Sequence, residues 1–449
     1  MKTLEIKKFL ILNSIAVEYT DLLVIIGPQA QGKSLISKLL YFFEGLEKEL
    51  FTNIISNSTK LDLQKKLRDK FLQIFNMENL QNHEIDITFK NDSYSCNIKK
   101  LQSSSKINID FDEAFYNKLK LLKASYKKCK LIKDNFDFPS FYEILGEEFH
   151  DRINFPDLIE NFAKYFVTKK KKDKKDYDID TIKTKLTKAI EFDKLYMGQA
   201  KSIYVPAGRS FFANLQKSIF NFLTNNLPID YFLKEFGARY ERMKFGCSES
   251  EHEFFYSQLG KENFEAASLS ILGGNYVRLK ERDYIKSKSG ALVNLEYASS
   301  GQQEALPLLL SIVCTSKNTT LVIEEPEAHL FPSAQADVVK LIGKTYNLTE
   351  EASNFIITTH SPYILMSINN AVQAYIAKIS NFKIQSNSAK EWINAAINPK
   401  NISAYILSNG KIKSIVDEET GLINAYEIDQ ISSKLSNDFE ELLGLGDSV

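Results

Sequence analysis

Residues 27–34 read Gly27-Pro-Gln-Ala-Gln-Gly32-Lys33-Ser34 and match the pattern G-x-x-x-x-G-K-[ST] at every position. The run before them, Leu22-Leu-Val-Ile-Ile26, is wholly apolar, as a strand buried on both faces would be. The stretch after them, residues 35–43, has helical potential. A strand, a glycine loop and a helix start are the context that the pattern requires, so this stretch predicts a phosphate-binding loop rather than a chance match.

Backbone geometry and charge explain why such a loop binds phosphate. Gly27 and Gly32 let the chain curl so that successive N–H groups point inward, and the helix N-terminus adds partial positive charge. We expect Lys33 to reach the β- and γ-phosphates of ATP and the Ser34 hydroxyl to ligate Mg²⁺, which makes ATP and Mg²⁺ the predicted cofactors. The predicted nucleotide contacts in this loop are Gly27, Gln29, Ala30, Gln31, Gly32, Lys33 and Ser34.

A pair of acids follows another apolar strand in Thr320-Leu-Val-Ile-Glu324-Glu325-Pro326. A carboxylate at the tip of a strand beside the P-loop strand can hold Mg²⁺ directly or through water, and we assign this role to Glu324. Glu325 is then placed to polarise the attacking water as a general base. Two acids in an exposed loop would be the ordinary interpretation of this stretch alone, and the P-loop makes the catalytic interpretation the better one.

Two further segments complete the pattern. Phe355-Ile-Ile-Thr-Thr-His360 is an apolar strand that ends in a histidine, and a strand end in an open parallel sheet faces the ligand crevice, so we predict a γ-phosphate contact. Lys33, Glu325 and His360 are thus the predicted catalytic residues. The stretch 297–306 contains a serine-capped helix start with a glycine, which is a second anion site. One nucleotide has little use for two such helix starts, unless the second serves the nucleotide of a partner subunit.

Together, the P-loop, this helix start, the paired acids and the histidine resemble the ABC-type ATPase superfamily, in the branch that contains RecF, SMC-like and OLD-type proteins. Ala298-Ser-Ser-Gly-Gln302 stands where that family has its Leu-Ser-Gly-Gly-Gln signature, and it departs at Ala298 and Ser300. Glu324-Glu-Pro-Glu-Ala-His-Leu-Phe-Pro332 is similar to the Glu-Pro-Glu-x-His-Leu-x-Pro pattern of OLD-type and RecF-like members. The family usually has Asp where this chain has Glu324.

The resemblance implies an α/β fold: an ABC-type P-loop ATPase head with a small antiparallel β subdomain and a helical insertion. It implies ATP hydrolysis in a head-to-head dimer or higher oligomer, with Ser299, Gly301 and Gln302 binding the partner's nucleotide. The expected organisation is an N-terminal ATPase lobe over residues 1–110, a helical insertion over 111–200, a C-terminal ATPase lobe over 201–380, and a hairpin with a helix over 381–449.

The composition is that of a soluble intracellular protein. Lysine and arginine number 57, as do the acids, so a net charge of zero gives no global attraction toward DNA. Cys96, Cys129, Cys247 and Cys314 show no paired spacing, which predicts neither a zinc site nor a disulfide framework and favours the reducing cytoplasm. No apolar run reaches about eighteen residues, so we expect no membrane span. The N-terminal residues are similar to a signal peptide, but Asn13 interrupts their apolar run. We therefore predict that they form an opening β-hairpin.

The remaining segments leave alternatives open. A hairpin is predicted over residues 85–98, and the lysine-rich run 169–175 is either a solvated loop or a contact for nucleic acid or an acidic partner. Arg209, which follows a tight Pro-Ala-Gly turn, could close on phosphate, brace the site near the signature, or form a structural salt bridge. His329 could lie at the dimer surface.

The C-terminal portion bears on the biological role. The 89 residues after His360 contain a predicted hairpin, Tyr405–Ile415, and a stretch with apolar residues on one helical face, from Ile428 to Leu443. The acids at 417–419 are better explained by an acidic turn than by a nuclease site. We expect an ATPase switch that controls a separate effector, a nuclease or toxin, in bacterial anti-phage defence, as in the PARIS, Septu and retron-linked systems that the chain resembles. The alternative is a RecF-like DNA-repair ATPase that binds DNA directly, and contacts with nucleic acid or a phage component stay open.

Overall fold

A computed structural model describes most of the chain. The described residues are 1–117, 119–121, 123–124, 201–213, 230–245, 259, 261–280, 282–349, 353–380, 382, 385–424 and 436–443. The chain divides into two compact units. The first unit comprises Met1–Gly45, Arg68–Asp110 and Ala200–Val449, and the second comprises Leu46–Leu67 and Phe111–Gln199.

The first unit contains the P-loop, the helix start at Ser299, the paired acids and His360, and the helices and strands of both units are given next. In chain order the strands are β1 (Lys2–Phe9), β2 (Leu12–Tyr19), β3 (Leu22–Ile26), β4 (Ile85–Lys90), β5 (Ser95–Lys100), β6 (Asn108–Phe111), β7 (Lys201–Val205), β8 (Gly274–Leu279), β9 (Arg282–Ser287), β10 (Leu292–Asn294), β11 (Thr319–Glu324), β12 (Asn354–Thr359), β13 (Ile402–Ser408) and β14 (Lys411–Ser414). The helices are α1 (Lys33–Glu44), α2 (Leu46–Ile55), α3 (Lys60–Phe75), α4 (Met77–Leu80), α5 (Tyr231–Phe245), α6 (Lys261–Leu272), α7 (Ser300–Val313), α8 (Pro332–Leu348), α9 (Pro362–Ile379) and α10 (Asn387–Asn394).

The central sheet of the first unit has six strands in the order β14-β13-β3-β12-β11-β7. Five of these strands are parallel, and β14 alone runs antiparallel at one edge, paired with β13. Every residue of β3 and β11 is buried, as expected for strands that helices cover on both faces. The registers Ile26↔Thr359 and Glu324↔Thr358 bring the carboxyl ends of β3, β12 and β11 to one edge of the sheet. The P-loop, the paired acids and His360 all follow these ends.

A second sheet is antiparallel, with five strands in the order β2-β1-β4-β5-β6. Its strands alternate buried and exposed residues, because one face packs on the core and the other meets solvent. The opening hairpin β1–β2 and the hairpin β4–β5 are both present, so the sequence predicted these two hairpins correctly. A third, smaller sheet has the order β10-β9-β8. The predicted α/β class with an antiparallel subdomain is thereby confirmed.

The predicted helical insertion, 111–200, falls mostly outside the described residues, and so does the lysine-rich run 169–175. In the second unit, the ring of Phe111 stacks on that of Phe115 with centroids 4.5 Å apart. The ammonium of Lys60 lies 3.8 Å from the ring centroid of Tyr116, a cation–π contact that joins α3 to the segment after β6.

The C-terminal hairpin is β13–β14, as the sequence predicted. An acidic turn follows it, since the Asp417 carboxylate accepts hydrogen bonds from the backbone N–H of Thr420, at 2.8 Å, and from its hydroxyl, at 2.7 Å. These hydrogen bonds lower the pKa of Asp417. Of the predicted terminal helix, the structure describes residues 436–443, which are helical and carry the exposed side chains of Phe439, Leu442 and Leu443. Among the described residues no helix combines the length and apolarity that a membrane span needs.

Candidate functional site

The P-loop follows β3 and is packed so tightly that its first glycine admits no side chain. A Cβ on Gly27 would lie 2.0 Å from the carbonyl oxygen of Leu407 on β13. Gly32 has a φ of 99° and caps the N-terminus of α1, a left-handed conformation that favours glycine. The Gln31 side chain accepts a hydrogen bond from the backbone N–H of Asn409, at 2.7 Å. The turn of the β13–β14 hairpin therefore supports the loop from outside.

Lys33 occupies the first turn of α1 and is buried, with 6% of its surface exposed. Its ammonium donates to the carbonyl oxygens of Gly27, at 2.8 Å, and Pro28, at 2.7 Å. Burial lowers the pKa of Lys33, while the carboxylates of the acidic loop after β11 oppose that effect. The ammonium also lies 3.5 Å from Nδ1 of His360, so the P-loop lysine and the histidine that the sequence paired with it do meet.

Glu324, at the end of β11, is buried. Its carboxylate lies 3.5 Å from the Ser37 hydroxyl and 3.4 Å from the backbone N–H of Ala207. The same Ser37 hydroxyl donates to the backbone carbonyl oxygen of Ser34, at 3.0 Å. The Tyr204 phenol lies 2.9 Å from the Ser37 hydroxyl. Burial is the main cause that raises the pKa of this phenol, and the charge of Glu324 is the next.

The donor set at this point suits a hard divalent cation. Ser34 offers an exposed hydroxyl, and Glu324 offers a carboxylate whose contacts with Ser37 and Ala207 are long, at 3.5 Å and 3.4 Å. Oxygen donors of this kind are the ligands that Mg²⁺ prefers. The side-chain oxygens of these two residues therefore suit Mg²⁺ chemically, and their assignment as its ligands stays a prediction.

Glu325 is set apart from Glu324 by its backbone. Its φ of 45° is unusual for a residue with a side chain, and its carboxylate faces His360, with 41% of the side chain exposed. Oε1 lies 3.4 Å from Nε2 of His360. The imidazole thus stands between the Lys33 ammonium on its Nδ1 side and the Glu325 carboxylate on its Nε2 side. The three predicted catalytic residues form one continuous chain of contacts.

Glu327 is a member of this site that the sequence left without a role. Its Oε1 accepts a 2.6 Å hydrogen bond from the backbone N–H of His360, and its Oε2 is buried without a hydrogen-bond partner. Burial lowers the pKa of both Lys33 and Arg209, and the charge of Glu327 is one of the influences that oppose this lowering. Glu327 belongs to the Glu-Pro-Glu stretch on which the family resemblance rests. The rule that acids at the tip of an apolar strand bind a cation points only to Glu324 and Glu325.

The predicted signature lies at the start of α7, on a different segment. Ser299 caps the helix and Gln302 completes a capping box, in which each side chain pairs with the other's backbone N–H. The Gln302 amide also donates to the carbonyl oxygen of Leu272, at 2.8 Å. A Cβ on Gly301 would lie 2.6 Å from the carbonyl oxygen of His329, so the helix start is packed directly on the loop that carries the acids. His329 itself is exposed.

Arg209 is fully buried, not presented from an exposed loop. Its Nε lies 3.4 Å from the carboxylate of Glu304, a residue of α7, and the guanidinium donates to the carbonyl oxygens of both Glu324 and Glu325. Of the three roles that the sequence left open, direct closure on phosphate does not fit this burial. The salt bridge and the bracing of the acids are both present.

A parallel sheet with a P-loop, paired acids and a histidine at the carboxyl ends of neighbouring strands defines a P-loop ATPase. A family model described as "AAA domain, putative AbiEii toxin, Type IV TA system" matches residues 22–367. The chain belongs to this family, and its predicted ATPase activity is thereby confirmed.

Solved structures give more distant similarities. The Smc head domain from Pyrococcus furiosus, bound to the C-terminal domain of ScpA, is 12% identical, with 97% of this chain and 100% of that chain covered and a TM-score of 0.37. The SMC head domain from Thermotoga maritima is 10% identical over 92% of this chain and 97% of that chain, with a TM-score of 0.35. The recombination mediator protein RecF is 10% identical over the same shares of the two chains, with a TM-score of 0.29. The comparison with curated proteins found no match.

Proposed function

We propose that this chain is an ABC-type, ATP-binding and ATP-hydrolysing switch that controls a separate effector, a nuclease or toxin, in bacterial anti-phage defence. The observation that carries the proposal is the contact chain from Lys33 through His360 to Glu325, which joins three motif segments at one crevice. The family description, which names a toxin of a toxin–antitoxin system, supports a role beside a second protein.

The hydrolytic step follows from the placement of the side chains. The phosphates of ATP would lie at the N-terminus of α1, where backbone N–H groups and the Lys33 ammonium offer positive charge. Bound Mg²⁺, held by Ser34 and Glu324, would neutralise charge on the phosphate oxygens. Glu325 is the general base, since its carboxylate is the exposed member of the pair and can accept a proton from water. His360 would donate a hydrogen bond to the γ-phosphate.

A switch also needs a contact that depends on the nucleotide. We assign this contact to Ser299, Gly301 and Gln302, which would bind the nucleotide of a second copy and close a head-to-head dimer or a higher oligomer. Tyr297 and Phe331, which flank this helix start and the acidic loop, expose 76% and 77% of their surfaces and would be covered in such a dimer. ATP would then favour the closed assembly and hydrolysis the open one, so that an effector that binds one form follows the nucleotide state.

The proposal sets the chain in the bacterial cytoplasm with a protein effector as its main partner. A net charge of zero supports a protein partner more than a sequence-independent DNA contact, although nucleic acid or a phage component could still be the trigger. The effector would be encoded next to this chain.

The test is to express the chain with its neighbouring gene product in bacteria and to measure phage plaques, copurification and ATP hydrolysis. The expected result is protection that needs both genes and is lost in Lys33→Ala and Glu325→Gln. The purified pair should form a complex whose stability differs between ATP-locked Glu325→Gln and nucleotide-poor Lys33→Ala. A purified chain that protects DNA ends by itself, together with sensitivity to DNA damage and no change in phage plaques on deletion, would replace the proposal by the DNA-repair alternative.

A further inference from the structure

We propose that Arg209 is a positioning residue for ATP hydrolysis, and that Glu304 links it to the helix start at Ser299. Arg209 would act through the backbone of Glu324 and Glu325, and Glu304 would connect those acids to the segment that we expect to bind a partner's nucleotide. This inference rests on the proposed function, because it takes the roles of Glu324 and Glu325 from there.

The contacts of Arg209 are almost all directed at backbone. The guanidinium is fully buried and donates at each of its nitrogens. The accepting carbonyl oxygens are those of Glu304 at 3.1 Å, Pro206 at 3.0 Å, Glu324 at 2.8 Å and Glu325 at 3.0 Å. Burial lowers the pKa of Arg209, and the nearby carboxylate of Glu304 is the strongest influence that opposes this. A planar group with several donors at fixed angles is suited to hold several carbonyl groups at once.

Two of these four carbonyl groups belong to Glu324 and Glu325, the paired acids of the proposed site. The backbone of Glu325 is in the left-handed region. Its N–H donates to the carbonyl oxygen of Thr358, at 2.8 Å, and its own carbonyl oxygen accepts a hydrogen bond from Arg209. A non-glycine residue is strained in this conformation, which persists only where its surroundings determine it. The direction of the Glu325 side chain therefore depends on the guanidinium, and a misplacement of about 1 Å can cost about 10²-fold in rate.

Glu304 connects this arrangement to α7. Its carboxylate accepts the backbone N–H groups of Arg209, at 2.8 Å, and Ser210, at 2.9 Å, and is itself buried. Glu304 lies on the same helix as Ser300 and Gly301, within its first turns. Because a helix moves as a stiff element, a shift of its N-terminus when Ser299 meets phosphate would move Glu304, and with it the loop of Arg209. The signature of one subunit would thus adjust the hydrolytic acids of that same subunit.

The test uses Arg209→Lys as the main variant, because lysine keeps the charge but offers a single donor centre in place of the guanidinium fork. We expect kcat to fall about 10²-fold, the effect of such a misplacement, while the Kd for ATP stays within about threefold of the original value. Glu304→Gln should lower kcat in the same direction, since an amide retains one acceptor oxygen where the carboxylate offers two.

The matched control is Lys244→Met, which removes a buried cation that pairs with Asp283 at 3.1 Å on the α5 and β9 elements. This variant should lose thermal stability and keep its kcat per folded molecule. If Arg209→Lys loses kcat only in proportion to a stability loss that Lys244→Met shares, Arg209 is structural and the inference is wrong.

A double-mutant cycle separates this inference from the proposed function. Because Arg209 acts partly through Glu325, the loss of rate caused by Arg209→Lys should be clearly smaller in the Glu325→Gln background, since coupled residues are not additive. Multiplicative effects of the two substitutions would overturn the inference alone. Normal hydrolysis by Glu325→Gln would overturn the assigned roles of the acids, and hence the proposed function, whatever Arg209→Lys does.

Discussion

The first glycine of the P-loop gives the sharpest prediction about this site. In Gly27→Ala, the new methyl group would meet the carbonyl oxygen of Leu407 at 2.0 Å and its carbonyl carbon at 3.0 Å. Both partners are backbone atoms of β13, which is paired with β3 in the register Ile406↔Ile26 immediately before the loop. No side chain can rotate away to make room, so either the strand pairing or the loop itself must move by about 1 Å, as in an overpacked interior.

The loss of stability and of ATP affinity in Gly27→Ala depends on whether β13 or the P-loop is displaced. Overpacking of this kind costs about 1–3 kcal/mol of folding stability. The strand is held on both sides by the sheet, while the loop is held by Lys33 and Gln31, so we expect the loop to take most of the displacement. Loss of one hydrogen bond to a charged phosphate is worth about 1.5–3 kcal/mol, which corresponds to an increase of about 10- to 150-fold in the Kd for ATP.

The assay is titration with a fluorescent ATP analogue, paired with thermal unfolding. The matched control is Gly290→Ala, because Gly290 has a φ of +87° and a Cβ there meets nothing within 4 Å. The control should lose about 1–2 kcal/mol of stability from the left-handed backbone and bind ATP normally. If Gly27→Ala binds ATP like the unsubstituted chain, or if the control loses as much affinity, the reasoning about this contact is wrong.

Four further outcomes are expected. Lys33→Ala should raise the Kd for ATP about tenfold or more, measured calorimetrically, because it removes a charged hydrogen-bond donor. Glu325→Gln should bind ATP but hydrolyse it about 10²–10⁴-fold more slowly, and equal phosphate release by the two chains would contradict its role as general base. A mixture of Lys33→Ala and Ser299→Arg chains should regain ATPase activity through one intact shared site; association without recovery would exclude the in-trans arrangement. Chelation of Mg²⁺ should stop hydrolysis, and Glu324→Ala should raise the Mg²⁺ concentration needed for half-maximal rate.

The sequence predicted the elements of the site well because each one is local. An apolar strand followed by a polar residue at its tip needs no knowledge of distant contacts, and β3, β11 and β12 each follow that rule. The hairpins are equally local, since alternation and turn residues determine them. The convergence of Lys33 and His360, 327 positions apart, was inferred only through the rule that parallel strands end at one edge.

What the sequence did not predict depends on packing between segments. In the sequence, Glu304 is an ordinary charged residue inside a predicted helix. Only the fold shows that its carboxylate accepts hydrogen bonds from two backbone N–H groups of another segment. Arg209 left three interpretations open because its burial is set by α7 and β11, which lie about a hundred positions further along the chain. The contact between Gly27 and Leu407 is of the same kind, because β13 joins the sheet beside β3 from the far end of the chain.

The charges of the site explain why so many of its contacts are to backbone. The carboxylates of Glu324, Glu325 and Glu327 act on the same two cations, Lys33 and Arg209, so acids outnumber bases in this cluster. A site that must bind an anionic nucleotide cannot rely on this balance, and its attraction for phosphate has to come from the N–H groups of the loop, the start of α1 and a divalent cation. Arg209, which is buried and donates to backbone carbonyls, adds positive charge behind the acids without competing with the nucleotide for them. Under the proposed roles, the carboxylates of Glu324 and Glu325 would meet the cation and the attacking water, while Arg209 holds their backbone from behind.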